Sequence, residues 1–195
     1  MKFQVPLLLR WKNEMAILCN KMGIDIWEVI DAAATKPYGF MPFYPGPGLG
    51  GHCIPIDPWY LTWKAREFNY HTKLIESAGE INNVMPEYVI NRCMQLLNEE
   101  GKAIKGSNVL VLGVAYKKDI DDYRESPVIP ILEQLNKFGA NWTVVDPHVK
   151  SFLLEGSEYQ VYKEPTEELL KAADLVLITT NHSDFNYKKI ADSAK

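Results

Sequence analysis

Over residues 7–31 apolar side chains recur at steps of three and four. Leu8, Trp11, Met15, Leu18, Cys19 and Met22 form one stripe with the period of an amphipathic helix. Gly23 predicts the stop of that helix, and DIWEVIDAAA predicts a second one with Asp25 as its N-cap. A stretch dense in proline and glycine, PYGFMPFYPGPGLGGHCIPIDPWYL at residues 37–61, then breaks the pattern. Helical spacing resumes in WYLTWKAREF and HTKLIESAGEINNVM, and Pro86 either kinks the latter or opens the next helix. EYVINRCMQLLNEEG carries Val89, Cys93, Leu96 and Leu97 on one face and stops at Gly101. After KAIKGS the period changes. NVLVLGVAY is a continuous β-branched run of the kind found in a strand covered on both faces. ESPVIPILEQLNKFG reads as a helix with Ser126 as N-cap, Pro127 at the first position and Gly139 as stop. ANWTVVDP is a second strand, TEELLKAA a helix and DLVLITT a third strand. This βαβαβ order predicts a parallel sheet with right-handed crossovers. The expected fold class is therefore α/β: a helical domain at 1–85, a connecting helix at 86–104, and a doubly wound, Rossmann-like parallel-sheet domain at 105–195, truncated at three strands.

Composition narrows the function classes. An apolar content of 47% is enough for real cores, and a net charge of −4 argues against nucleic acid or an anionic membrane as partner. No apolar run approaches the roughly 18 residues needed to span a bilayer. FQVPLLLRWKNEMAILC is broken by Pro6, Arg10, Lys12, Asn13 and Glu14 and lacks a signal-peptide cleavage site. Cys19, Cys53 and Cys93 are widely spaced and odd in number, which argues for free thiols in a reducing, cytosolic setting.

The proline- and glycine-rich stretch specifies an irregular loop of definite shape, lined by Phe40, Phe43 and Tyr44 and presenting one thiol. Cys19 and Cys93 lie on apolar helix faces and read as small buried hydrophobes. Cys53 has Gly50, Gly51 and Pro55 as neighbours, which build no core, so it reads as reactive. In extended backbone adjacent side chains point to opposite faces, which argues against a dyad of Cys53 with His52. No C-x-x-C spacing is present, so no metal site is expected. Asp57 admits two readings: a cap for a helix beginning at Pro58, or a holder of water or a substrate hydroxyl near the thiol. GVAYKKDIDDYRESP, at the C-terminal end of the first strand, is not a G-x-G-x-x-G loop. Its Lys117, Lys118 and Arg124 suit phosphate oxygens near a helix N-terminus, or else form a balanced, solvated charge cluster. Asp146, after the second strand, is either a ribose-binding acid or the start of a DP turn.

Taken together, PGPGLGGHCIPIDPWYL and GVAYKKDIDDYRESP, about 60 residues apart, resemble the UDP-glucose/GDP-mannose dehydrogenase family. The nearest likeness is to bacterial UDP-N-acetyl-sugar (UDP-GlcNAc or UDP-ManNAc) 6-dehydrogenases of capsule and lipopolysaccharide biosynthesis, and it runs from about Asn13 to the end. The resemblance implies a cytoplasmic oxidoreductase that converts a sugar C6 alcohol to a carboxylate with two NAD+ and no release of the aldehyde. It implies an N-terminal Rossmann domain for NAD, a helical central domain forming the homodimer or a higher homo-oligomer, and a C-terminal Rossmann-like domain for the UDP-sugar. Carried onto this chain, Cys53 becomes the nucleophile that forms a thiohemiacetal and then a thioester, and Asp57 the acid assisting the proton and water steps. The loop brings Phe43, Tyr44, Gly46, Gly48 and Gly50 to the sugar and phosphates, together with Tyr116 and Lys117, the latter binding substrate across the two domains. Gly51 and Arg124 become cofactor contacts, Arg124 at the NAD pyrophosphate.

The departures carry their own expectations. The NAD domain with its glycine fingerprint is not in this sequence, and the family's catalytic lysine and asparagine fall before Met1. Lys2 and Lys12 are therefore not assigned those roles, and the residues up to Lys12 fit the family helix poorly. The last strand and a substrate-binding arginine would follow Lys195. The expectation is a fragment that is inactive alone. The alternatives are a stand-alone UDP-sugar-binding or dimerisation module, a UDP-glucose 6-dehydrogenase fragment, and a thiol enzyme that works without NAD.

Overall fold

A computed structural model describes residues 4–194. The chain forms two compact units, one running to Met85 without Leu49–Gly51, the other holding those three residues and everything from Pro86.

The first unit is helical. α1 (Gln4–Met22) ends where Gly23 takes φ 69°, and α2 (Ile26–Ala34) starts under the Asp25 carboxylate, which accepts from Trp27 N at 2.8 Å. Both boundaries follow the sequence expectation, since only glycine enters the left-handed region without strain and Asp satisfies an orphan N–H. α3 (Cys53–Arg66) packs on α4 (Lys73–Asn83), and α1 runs along α4. Gly79 is the point of closest approach: a Cβ there would come within 2.5 Å of the Trp59 ring. The start of α3 corrects the sequence expectation. The helix begins at Cys53 with His52 as its cap residue, so Asp57 lies inside it and does not cap it. Pro55 is tolerated because a first-turn residue has no helical partner for its N–H, and Pro58 is carried inside the helix, buried.

In the second unit, α5 (Met85–Glu99) buries Ile90, Cys93 and Leu97, whereas Leu96, expected on the same face, is 41% exposed. Pro86 opens this helix in its first turn, where the missing N–H costs nothing. The parallel sheet is ordered β2 (Asn141–Val145), β1 (Asn108–Leu112), β5 (Leu175–Ile178). Alternate residues of β1 enter two cores. Val109 and Val111 pack with Ile90 of α5 and with Ile131, Leu132 and Leu135 of α6 (Val128–Phe138). Leu110 and Leu112 pack with Leu170 of α7 (Glu167–Ala172) and Ile190 of α8 (Tyr187–Ser193). That two-sided burial is why β1 reads as an unbroken apolar run. α6 starts one residue later than its sequence suggests: Pro127 is the cap residue, and the buried Ser126 Oγ accepts from Val128 N at 3.3 Å. Gly139 ends it in the left-handed conformation, φ 73°. The sequence pattern missed a short antiparallel hairpin, β3 (Ser151–Leu154) and β4 (Ser157–Gln160), turning through Glu155 (φ 49°) and Gly156 (φ 81°). No described helix is long and apolar enough to cross a membrane.

Candidate active site

Cys53 stands at the first residue of α3, exposed and free, whereas Cys19 and Cys93 are buried at 4% and 3% exposure. Burial pushes the Cys93 thiol up to about 11, which removes its thiolate at neutral pH. The burial expected of Cys19 and Cys93 therefore holds. Because Cys53 and Asp57 are one helical turn apart, they share a face of α3. His52 is not in extended backbone as expected but helical, at φ −89°, ψ −58°. A ring nitrogen of His52, the Cys53 sulfur and an Asp57 oxygen all lie within 4.8 Å of one another. The sequence argument that separated His52 from Cys53 fails at the backbone.

The loop leading to Cys53 is held by α1 and α2. Asn13, buried at 3%, accepts from Gly46 N at 3.1 Å through Oδ1. Lys12, 1% exposed, carries its ammonium over the rings of Phe40 and Phe43, at 5.0 and 5.4 Å from their centroids. Among the described residues that ammonium has no hydrogen-bond partner, and burial lowers its pKa. The two aromatic faces supply the attraction that a carboxylate would otherwise give. Sequence reasoning set Lys12 aside and read the apolar stripe of α1 through Trp11, Leu18 and Met22, which are 49%, 47% and 60% exposed, whereas Lys12, Asn13 and Cys19 are the buried positions. Lys2 lies outside the described residues. Tyr44 stacks on Trp27 at 5.2 Å and donates from its hydroxyl to Asp31 at 2.8 Å, which raises the phenol pKa. The first unit thus brings Phe43, Tyr44, Gly46 and Gly48 into one anchored loop.

In the second unit Gly50 and Gly51 lie against Tyr116. A Cβ on Gly50 would come within 2.5 Å of Tyr116 Cβ and 2.8 Å of Glu125 O, and one on Gly51 (φ 82°) within 2.9 Å of the Tyr116 ring. Here the glycines admit a side chain of the protein itself. Lys117 and Lys118 are exposed. The Arg124 guanidinium is engaged by Asp122, with Nε to Oδ1 at 2.9 Å and a terminal nitrogen to Oδ2 at 2.7 Å, and that pairing holds the Asp122 carboxyl down at about 2.

Beside these loops lies a network that sequence reasoning did not assemble. Asp146 is 0% exposed. Its Oδ2 accepts from Val114 N at 2.8 Å and Ala115 N at 3.1 Å, and its Oδ1 from His148 N at 2.9 Å and Val149 N at 3.0 Å. His182, also 0% exposed, meets Oδ2 through Nε2 at 3.0 Å and accepts from Asp119 N through Nδ1 at 3.0 Å. With Nδ1 accepting, the ring proton sits on Nε2 and points at the carboxylate. Burial alone would raise the Asp146 carboxyl, but His182 and the backbone N–H groups outweigh it and hold it at about 2. Gly113 (φ 92°) completes the edge: a Cβ there would reach 2.5 Å from Thr180 Cβ and 2.7 Å from its carbonyl oxygen. Asp146 is thus neither a free ribose acid nor a simple turn residue, because every direction around its carboxylate is taken by the protein.

Comparison with known proteins agrees with this division. Residues 9–84 match the model of the UDP-glucose/GDP-mannose dehydrogenase family, central domain, and residues 110–195 match the UDP binding domain of the same family. Protein CapL of Staphylococcus aureus is 37% identical over 91% of the chain and 41% of its own length. The UDP-N-acetyl-D-glucosamine 6-dehydrogenase of Pseudomonas aeruginosa is 34% identical over 89% of the chain and 40% of its own length. The chain therefore spans about two fifths of these curated relatives. The solved UDP-D-ManNAc dehydrogenase of Pyrococcus horikoshii superposes with a TM-score of 0.82 at 28% identity, covering 100% of this chain and 44% of that one. The native UDP-N-acetyl-mannosamine dehydrogenase Cap5O of Staphylococcus aureus gives 0.75 at 33% identity, covering 100% of this chain and 42% of that one. With both consecutive domain models matched and the same architecture in solved relatives, the chain belongs to the UDP-glucose/GDP-mannose dehydrogenase family.

Proposed function

We propose that this chain is the thiol-bearing and sugar-nucleotide-binding part of a cytoplasmic, NAD-dependent 6-dehydrogenase acting on a UDP-N-acetylhexosamine. The observation that carries the reading is the exposed Cys53 thiol at the head of α3, in a chain matching the family's central and UDP-binding domains. In this reading the Cys53 sulfur attacks the C6 aldehyde carbon, the C–S bond forms, and the thiol proton passes to the aldehyde oxygen. Oxidation of the resulting thiohemiacetal to a thioester removes a hydride from C6, which NAD+ bound by the intact enzyme would accept, and the hydroxyl proton, which passes to solvent. Water then breaks the C–S bond to give the carboxylate and the free thiol, with Asp57 taking the water's proton. Phe43, Tyr44, Gly46, Gly48 and Gly50 contact the sugar and phosphates, Tyr116 stacks or hydrogen-bonds, and Lys117 contributes charge toward the phosphates.

The acid after β2 has no free oxygen for a ribose, and Arg124 is closed on Asp122. Gly51 and Arg124 are proposed only as edge contacts, Arg124 after exchanging Asp122 for a pyrophosphate. The same observation favours a second reading, a stand-alone UDP-sugar-binding module. The two readings separate in one experiment. Iodoacetamide should label Cys53 well ahead of Cys19 and Cys93. The C6 aldehyde of a UDP-N-acetylhexosamine should block that labelling, the GDP-mannose analogue should not, and the chain alone should reduce no NAD+. Protection by the UDP-sugar alcohol with no extra effect of the aldehyde would leave the binding module. Cys53 labelled last of the three would remove the catalytic assignment.

The helical unit is proposed to form a homodimer. Trp59, Tyr60 and Trp63, 40%, 67% and 65% exposed, line with Ile56 an apolar cavity of about 400 Å³ on α3. Such surface is rarely left in water by a monomer. Sedimentation at micromolar concentration should give a dimer or larger species, and a stable monomer would overturn the assignment.

A further inference from the structure

The sequence shows no metal-ligand spacing, because His52 and Cys53 are adjacent and no second cysteine is near. Folding changes this. The helical backbone at His52 turns its ring toward the first turn of α3, and the i, i+4 relation brings Asp57 under Cys53. An imidazole nitrogen, a thiol sulfur and a carboxylate oxygen then lie within 4.8 Å of one another. Among the described residues no hydrogen bond or ion pair engages any of the three side chains, so all remain available. We propose that His52, Cys53 and Asp57 form a thiolate-centred site for a soft divalent cation of the zinc type, which occupies Cys53 and masks it as a nucleophile.

The donor set suits that ion and few others. A tetrahedral zinc with bonds of about 2.0–2.3 Å puts its ligand atoms about 3.3–3.7 Å apart, so the trio must close by roughly 1 Å. His52 and Cys53 are exposed and Asp57 half-buried, and side-chain rotation alone supplies that closure. One thiolate, one imidazole and one carboxylate favour zinc or cadmium over the oxygen-seeking magnesium and calcium. Two anionic ligands, a thiolate and a carboxylate, neutralise the dication. Binding displaces the thiol proton to solvent and leaves the fourth position to water. The second cluster of this kind, Asp119, His148 and His182, is not equivalent, because both ring nitrogens of His182 are already bonded within the fold. Binding at His52–Cys53–Asp57 does not depend on Cys53 being catalytic; only the consequence for turnover does.

The test uses the whole chain, freed of metal, with cadmium and zinc as probes. Cadmium should produce a thiolate charge-transfer absorption that Cys53→Ser abolishes. Zinc should slow iodoacetamide labelling of Cys53 by about tenfold or more, magnesium should not, and His52→Ala and Asp57→Ala should each weaken zinc protection by about tenfold. Cys93, buried in the second unit, must stay unlabelled throughout as the control for folding. Protection unchanged in both variants, a charge-transfer band surviving Cys53→Ser, or no protection by zinc would each overturn the site. Failure of the UDP-sugar aldehyde to block Cys53 would leave these results untouched, so the two proposals fall separately.

Discussion

Asp146→Ala is expected to destabilise the sheet-bearing unit by about 3–5 kcal/mol, because it strands a set of buried donors together. Four backbone N–H groups, of Val114, Ala115, His148 and Val149, and the Nε2–H of His182 converge on that one carboxylate. Those of Val114, Ala115, Val149 and His182 are buried and cannot reach water without opening the loops that follow β1 and β2, whereas His148 is half-buried. Asp146→Asn tests the charge separately from the shape. The carboxyl titrates near 2 in the fold against about 3.9 in an unfolded chain. A folded pKa below the unfolded one contributes stability above pH about 4, here on the order of 2–3 kcal/mol, and that contribution is lost as pH falls toward about 2. Urea unfolding followed by amide exchange at Val114 and Ala115 should show this acid slope in the parent and its loss in Asp146→Asn. A slope that survives in the asparagine variant, or an alanine variant within about 1 kcal/mol of the parent, would show that the carboxylate is not the hub.

The same residues mark where the sequence could and could not be read. The α1–α2 break was legible because Gly23 and Asp25 act locally, through φ 69° and a side-chain cap two residues away. β1 was legible because both of its faces are apolar, and Gly139 because a glycine after an apolar helix has one common use. The head of α3 was not, since Pro58 read as the start of a helix and Pro55 as part of the loop before it, whereas the helix begins at Cys53, holds Pro55 in its first turn and carries Pro58 buried inside it. That misplacement put Cys53 in a loop and hid its relation to His52 and Asp57. The β3–β4 hairpin escaped because each strand has four residues, although Glu-Gly was a usable turn signal. Asp146 and His182 stand 36 residues apart and meet only through the parallel crossover, which no local pattern encodes. Lys12 was illegible for the same reason: its partners are the faces of Phe40 and Phe43, more than a helix away in sequence.

Gly50→Ala and Gly46→Ala should fail in different ways, and the pair separates two reasons for glycine in one loop. At Gly50 an added Cβ meets Tyr116 Cβ at 2.5 Å, Glu125 O at 2.8 Å and Pro127 Cδ at 3.1 Å. The first two are backbone or next to it, and the third belongs to a ring, so none can swing aside as the end of a flexible chain would. The residue 116–127 segment must shift, at a cost of about 1–3 kcal/mol. Around Gly46 the nearest atom to an added Cβ is Gly48 O at 4.0 Å, so the folded chain has room for it. If Gly46 is glycine because the UDP-sugar approaches its backbone, Gly46→Ala should keep the parent's unfolding midpoint and weaken UDP-sugar binding by about tenfold or more. Gly50→Ala should lower the midpoint, and with it the binding, because Tyr116 and Lys117 ride on the displaced segment. Calorimetric titration with a UDP-N-acetylhexosamine beside denaturant unfolding reads both quantities. Equal midpoints for Gly50→Ala and the parent would mean that the Tyr116 contact is loose. Undiminished binding in Gly46→Ala would mean that the substrate does not lie against this part of the loop.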